Sequence, residues 1–274
     1  MSRAPRRPPL PVVAVAAVTV AFFVLPLVGL IDRASWSTLG HDLTSADARS
    51  ALRLSLVCSL SATALSIAFG MPLAWVLARV TFPGRALVRG LVLLPLVLPP
   101  VVGGVALLAA FSRRGLVGSH LYDWFGIQLT FTTAGAILAE TFVALPFFVI
   151  TVEAGLRSMD RRYEDVAATL GAGRLTVFRR VTLPLIVPAF FAGLGIVFIR
   201  SMTAISATIF LVSIGWTLIT VRILENMTEL SLGPAAAFSV LVVAIVFVVI
   251  GAIGWLLRFF RAPSSMPMAN MLGG

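Results

Sequence analysis

Six long apolar runs constrain the fold of this chain more than any other feature of its sequence. A helix needs about 20 apolar residues to cross roughly 30 Å of hydrocarbon, and runs of that length recur along the whole chain of 274 residues. In lipid, only helices and closed barrels satisfy all of their backbone hydrogen bonds. We therefore predict an all-α integral membrane protein with six transmembrane helices, at residues 12–31, 54–77, 87–111, 131–152, 185–212 and 235–257.

The first apolar run has one alternative interpretation, a secretory signal peptide, because three arginines precede it. The run is long, contains Pro26 and is not followed by a small-residue cleavage pattern, so we expect it to stay in the membrane. A single transmembrane domain then covers the chain. Its parts are a basic N terminus at residues 1–11, a six-span core at 12–260 and a flexible tail at 261–274.

The arginines predict the orientation of the bundle. All 21 basic residues are arginines, and alternating the loops between the two sides leaves 14 on one side. Basic residues gather in cytoplasmic loops, so both termini are expected in the cytoplasm of a bacterium, with the spans in its inner membrane. This topology explains the net charge of +10 without nucleic acid, and it predicts attraction to anionic lipid. The seven arginines of the other side are Arg33, Arg49, Arg53, Arg113, Arg114, Arg200 and Arg222.

A charged segment at residues 163–184 separates the fourth and fifth spans of a chain with only 12% charged residues. Asp160 can cap a helix there, and apolar residues at positions 163, 166, 167 and 170 would form one face. Gly171 and Gly173 then interrupt the helix. The pattern predicts a short surface helix, which either rests on lipid headgroups or docks a partner.

The spacing of this segment resembles the EAA loop of permease subunits in binding-protein-dependent ABC importers. Residues 165–167 stand at the Glu-Ala-Ala triplet, Gly171 follows after three residues, and Val181 and the Leu-Pro pair at 183–184 close the pattern. Asp165 and Val166 depart from the strict triplet.

This resemblance implies that the loop at residues 153–184 carries a coupling helix, between the fourth and fifth spans, that docks on a cytoplasmic ATPase subunit. The expected contact residues are Glu164, Asp165, Ala167, Gly171 and Arg174. Small residues at the contact would permit close approach of the partner.

The chain itself lacks the means to hydrolyse ATP. A phosphate-binding loop needs a lysine, and the sequence contains none. We therefore expect a separate ATPase subunit and no enzymatic activity in this chain. His41 and His120 show no metal-ligand spacing, so we predict neither a metal site nor a cofactor.

Polar residues inside the spans are candidates for the translocation pathway. Glu140 lies in the fourth span, where a carboxylate costs several kcal/mol unless it is paired, hydrated or protonated. It is expected either to hold helices together or to line the pathway, with Arg200 as a candidate ion-pair partner. The other candidates are the hydroxyl residues Ser201, Thr203 and Ser206 in the fifth span. Prolines and glycines at residues 95–104 predict a broken third span.

Residues 50–195 resemble permeases of the molybdate type in the runs ALRLSLVCSL, MPLAWVLAR, LVLLPLVLPPVVGG and ETFVALPFFVITVE. This resemblance implies import of molybdate or tungstate, delivered by an extracytoplasmic binding protein. After Phe198 the sequence resembles ferric-iron-type permeases, so ferric iron or a sulfate-like anion stays an alternative substrate. One EAA-like loop implies pairing with a second permease subunit, most simply another copy. A secondary transporter driven by an ion gradient is the alternative from another class, although the two halves show no repeat.

Overall fold

The computed structural model describes residues 9–34, 36–37, 40, 44–204 and 232–260, and these residues form helices and the loops that connect them. We number the helices in chain order. They are α1 Leu10–Arg33, α2 Ala46–Arg79, α3 Arg85–Val97, α4 Pro100–Phe111, α5 Gly118–Phe125, α6 Thr133–Ser158, α7 Arg162–Thr169, α8 Arg174–Val177, α9 Leu183–Met202 and α10 Leu232–Phe260. A π-helical turn at Phe178–Thr182 joins α8 to α9.

The predicted all-helical membrane fold is confirmed. Five helices of the described chain are long and apolar enough to cross a membrane, and the bent pair α3 and α4 makes a sixth when its two helices are counted as one broken span. The fifth span belongs to a continuous helical segment that comprises α8, the π-helical turn and α9, from Arg174 to Met202. It was predicted to extend to residue 212, but residues 205–212 lie outside the described part of the chain.

The predicted break in the third span lies between α3 and α4, whose axes differ by 117°. Leu98, the residue before Pro99, has an extended backbone with φ −65° and ψ 135°. The ring of a following proline disfavours the helical region for the residue before it. Helix α3 therefore ends at Val97. A new helix begins at Pro100, because the backbone N–H that proline lacks has no partner in the first turn of a helix.

The centre of the bundle is formed by α2, α6 and α9, which pack against one another. Phe148 of α6 is fully buried and lies between two glycines. A Cβ atom at Gly70 of α2 would lie 2.8 Å from its ring, and one at Gly193 of α9 would lie 3.3 Å from it. Lipid provides no hydrophobic drive for helix association, so close packing at small residues must hold these helices together.

Helix α1 lies at the edge of the bundle and packs against α10. Its apolar side chains are exposed over most of its length, as expected for a helix in contact with lipid. The short helices α7 and α8 follow the end of α6 and lead the chain back into the bundle.

Candidate functional site

The surface helix predicted from the charged segment is α7, and its two ends are fixed by local hydrogen bonds. Asp160 accepts a hydrogen bond on its Oδ1 from the backbone N–H of Arg162, at 3.0 Å. At the other end, Gly171 has φ +84°. The N–H of Gly171 donates to the carbonyl of Ala168 at 3.0 Å, and that of Ala172 donates to Ala167 at 3.1 Å.

This pair of bonds is a Schellman motif, which needs a residue in the left-handed region directly after the helix. Open space surrounds Gly171, since no atom of the described chain, apart from its two sequence neighbours, lies within 4 Å of the position that a Cβ would take. Glycine is therefore needed at this position because of its backbone conformation. Lack of space is not the reason, since the surrounding residues leave room for a larger side chain.

Helix α7 presents a mixed apolar and acidic surface outward. Tyr163, Val166 and Leu170 are 59%, 58% and 82% exposed. Asp165 is exposed beside them, and Ala167 is half-buried. Together with the exposed Leu175 of α8, these side chains form what we call the docking surface: Tyr163, Asp165, Val166, Leu170 and Leu175. Arg174 is exposed at the start of α8.

Glu164, also predicted as a contact residue, points toward the bundle. Its Oε2 lies 3.1 Å from Nε of Arg79, at the end of α2. Its Oε1 accepts a hydrogen bond of 2.7 Å from the hydroxyl of Thr182, directly before α9. Only 18% of the Glu164 side chain is exposed. The carboxylate therefore joins α7 to the second and fifth spans.

Arg161 adds a second link between the surface segment and α2. Its Nη2 donates to the backbone carbonyls of Ala78 and Arg79 at 3.2 and 3.3 Å. These carbonyls belong to the last turn of α2, which leaves them without partners inside the helix. A guanidinium there also interacts favourably with the negative end of the helix dipole.

A third polar cluster lies at the same end of the bundle. Glu153 of α6 accepts a hydrogen bond from Arg89 of α3, and its Oε1 lies 3.0 Å from Nη2 of Arg157. The Glu153 side chain is 8% exposed. This cluster attaches the first half of the broken span to α6.

Glu140 lies in the centre of the bundle and is 1% exposed. Its carboxylate accepts a hydrogen bond from the hydroxyl of Ser201 on α9, and Ser59 of α2 lies beside it. The prediction that Glu140 forms an ion pair with Arg200 is wrong. Arg200 is exposed, and its guanidinium lies 5.1 Å from the centre of the Phe147 ring. Thr203 is exposed and donates to the carbonyl of Ile199 at 2.9 Å, while Ser206 lies outside the described residues.

Two groups of residues escaped the sequence analysis. One is the set of arginines around the end of α2, whose partners are distant in the chain. The other is a buried polar stripe on α2, whose spacing of three or four residues is the signal that could have revealed it. The stripe consists of Ser55, Ser59, Thr63 and Ser66. Among the residues that the structure describes, no three His, Cys, Asp or Glu side chains are grouped to hold a metal ion.

The sequence matches the family model described as the inner membrane component of binding-protein-dependent transport systems, over residues 66–262. Molybdenum transport system permease protein ModB of Mycobacterium tuberculosis is 45% identical over 192 residues, which are 69% of this chain and 72% of that protein. Sulfate transport system permease protein CysT of Salmonella typhimurium is 34% identical over 226 residues, which are 80% and 81% of the two chains.

The fold is also similar to that of solved structures. One is a bacterial alginate ABC transporter in complex with an alginate pentasaccharide-bound periplasmic protein. The TM-score is 0.72 at 21% identity, and the match covers 92% of this chain and 95% of the other. At this identity the likeness concerns the fold alone.

Proposed function

Because the chain belongs to the family of inner membrane components of binding-protein-dependent transport systems, we propose that it forms the membrane pathway of an ATP-driven importer for molybdate. The observation that carries this proposal is the docking surface. The docking surface exposes apolar side chains that a soluble partner can cover. Its helix is attached to two spans through the side chain of Glu164.

The partner on the docking surface is a cytoplasmic ATPase subunit. Exposed Val166 and Leu170 supply apolar area to such a contact, and Asp165 supplies a carboxylate for a basic or hydrogen-bonding group. Ala167, Gly171 and Arg174 lie beside this surface. Both chain termini then lie on the cytoplasmic side of the membrane.

Movement of the ATPase reaches the spans through side chains as well as through the backbone. Glu164 forms an ion pair with Arg79 and accepts a hydrogen bond from Thr182, and Arg161 donates to the carbonyl of Ala78 at the end of α2. A displacement of α7 therefore displaces the ends of the second and fifth spans with it. In a dimer with a second permease subunit, two such displacements would open and close the pathway between the subunits.

Within the spans, we assign Glu140 and Ser201 to holding α6 and α9 together, since both side chains are buried. Arg200 and Thr203 are exposed and are the better candidates for contact with the solute. A guanidinium suits a tetrahedral dianion because it offers several N–H donors and a permanent charge.

The substrate assignment follows the relatives named for molybdenum transport. Sulfate is the second candidate, favoured by the similarity to the Salmonella typhimurium sulfate permease. Both solutes are tetrahedral dianions, so an extracytoplasmic binding protein would supply most of the discrimination. The ferric-iron alternative, which rested on residues after Phe198, stays a prediction.

The proposal is tested by reconstituting the full chain in vesicles with its ATPase and its binding protein. We expect uptake of radiolabelled molybdate that requires ATP, requires the binding protein and is not reduced by equimolar sulfate. Uptake that follows sulfate instead would support the second candidate. Uptake driven by an ion gradient without ATP would overturn the importer assignment in favour of a secondary transporter.

A further inference from the structure

An open pocket of about 450 Å³ lies at the end of α2, and most of its lining is basic. Its walls come from the last residues of α2, the first residue of α3 and the chain from the end of α6 to the start of α7. It lies at the end of the bundle that carries the docking surface. The lining residues are Ala78, Arg79, Arg85, Arg157, Met159 and Arg161.

Two of these arginines carry buried donors that lack a partner. The Arg79 side chain is 8% exposed, and its Nη2 has no hydrogen-bond partner within the described ranges of the chain. The same holds for Nε of Arg85. A buried donor without an acceptor is unfavourable by about 1–3 kcal/mol, so an acceptor in the pocket would relieve this cost.

The carboxylates near the pocket leave an excess of positive charge. Glu164 is paired with Arg79, and Glu153 is shared between Arg89 and Arg157. With Asp160, which lies between the lining residues Met159 and Arg161 in the chain, three carboxylates stand near five arginines, and the other two arginines are Arg85 and Arg161.

The guanidinium groups of the pocket are also held in place. Arg85 donates to the carbonyl of Leu77, and Arg161 donates to the carbonyls of Ala78 and Arg79. Fixed donors lose little freedom when they bind an anion. The last carbonyls of α2 orient the arginines without neutralising their charge.

We propose that this pocket binds an oxyanion of the phosphate class. Arginine forks match the oxygens of such a group and can bind it with paired hydrogen bonds. The group is either free in the cytoplasm or the phosphate of an anionic lipid headgroup, since basic pockets between spans on the cytoplasmic side suit such lipids. Once bound, it holds the ends of α2, α3 and α6 together next to the docking surface.

The first experiment measures thermal unfolding of the full chain in nanodiscs. In phosphatidylcholine discs, sodium phosphate is titrated against sodium chloride of equal ionic strength. In a second arm without added sodium phosphate, phosphatidylcholine discs are compared with discs that contain the anionic lipid phosphatidylglycerol. If the ligand is a free phosphate ion, we expect the unfolding midpoint to rise with phosphate concentration and to saturate. If the ligand is a lipid headgroup, we expect the midpoint to rise only in discs that contain phosphatidylglycerol. The proposal would be overturned if phosphate raised the midpoint no more than chloride does and phosphatidylglycerol did not raise it above its value in phosphatidylcholine discs.

Matched variants then locate the effect. Arg157→Gln removes a pocket guanidinium that is 45% exposed, and Arg89 still pairs with Glu153. The ligand concentration for half-maximal stabilisation should rise about tenfold, as for the loss of one charge-assisted hydrogen bond. Arg162→Gln changes an exposed arginine outside the pocket lining and should respond as the unaltered chain does.

Native mass spectrometry of the same samples counts bound phosphate or phosphatidylglycerol directly. It gives an answer even if a variant is less stable. Equal ligand retention by Arg157→Gln and the unaltered chain would overturn the assignment of the pocket.

Discussion

Glu164 and Arg79 form an ion pair, 3.1 Å between Oε2 and Nε, that links a surface helix to the end of a membrane span. Both side chains are largely buried, at 18% and 8% exposure. Glu164 also accepts a hydrogen bond from Thr182, so one carboxylate connects three helical segments. The pair is therefore well placed to transmit movement of α7 to the spans.

Replacing Glu164 with Gln should weaken this link. The Arg79 guanidinium would lose its charged partner while it stays buried, which we expect to lower the free energy of unfolding by about 1–3 kcal/mol. ATP-dependent uptake should fall, while ATPase binding is retained. Uptake in vesicles and co-purification of the ATPase measure the two effects.

The double variant Arg79→Gln with Glu164→Gln tests whether the two residues act together. Its loss of stability should be smaller than the sum of the two single losses, as for groups in direct contact. Losses that simply add would contradict an energetic coupling between the two side chains.

A substitution of Gly171 should act through the backbone. Gly171→Ala places a Cβ at φ +84°, which we expect to destabilise the end of α7 by about 1 kcal/mol. Uptake by Gly171→Ala should fall. Uptake by Gly171→Asn should fall less, because asparagine tolerates this conformation better.

Gly173→Ala is the matched control for this test. Gly173 has φ −65° and equally open surroundings, so uptake should not change. Equal losses for the two glycines would show that the positive φ of Gly171 is not the reason for its presence.

The docking surface is tested with a charge at its most exposed apolar residue. Leu170→Arg should abolish co-purification of the ATPase, because a charge would enter an apolar contact. The side chain is 82% exposed, so the midpoint of thermal unfolding should not change. Leu116→Arg, at an 83% exposed leucine between α4 and α5, should leave ATPase binding intact. Retained binding by Leu170→Arg would remove α7 as the docking site.

The buried contact between Glu140 and Ser201 should contribute to stability. Ser201→Ala removes the donor and leaves a buried carboxylate with fewer partners, at about 1–3 kcal/mol of unfolding free energy. Thr203→Ala, at an exposed residue whose hydroxyl bonds to its own helix, should have little effect on stability. Thermal unfolding in detergent compares the two. If Ser201→Ala lowers uptake without lowering stability, the pair belongs to the pathway instead.

The ends of α7 show how much local sequence signals could predict. Asp160 and Gly171 were identified as the start and stop of a short helix, and both act in this way in the structure. Capping depends on residues within a few positions of each other, so the sequence contains the whole interaction. The break at Pro99 was predictable for the same reason, since a proline acts on its own peptide bond and on the residue before it.

Glu164 shows where local signals end. In the sequence it is one of two adjacent acids in the first turn of a helix, and it was assigned to the same surface as Asp165. The structure separates them, because neighbours on a helix point in different directions. Which of the two faces the bundle depends on the position of Arg79, far away in the chain.

The sequence by itself determined the long apolar helices, the break in the third apolar run and the bounds of the surface helix, because hydrocarbon thickness, proline geometry and capping act over short stretches of chain. Only the tertiary structure decided which sides of the spans meet, and hence that Glu140 binds Ser201 and not Arg200. In a soluble helix an apolar stripe marks the buried side, but a membrane span is apolar toward lipid and toward its neighbours alike. Its rotation is therefore set by packing, such as the contact of Phe148 with Gly70 and Gly193.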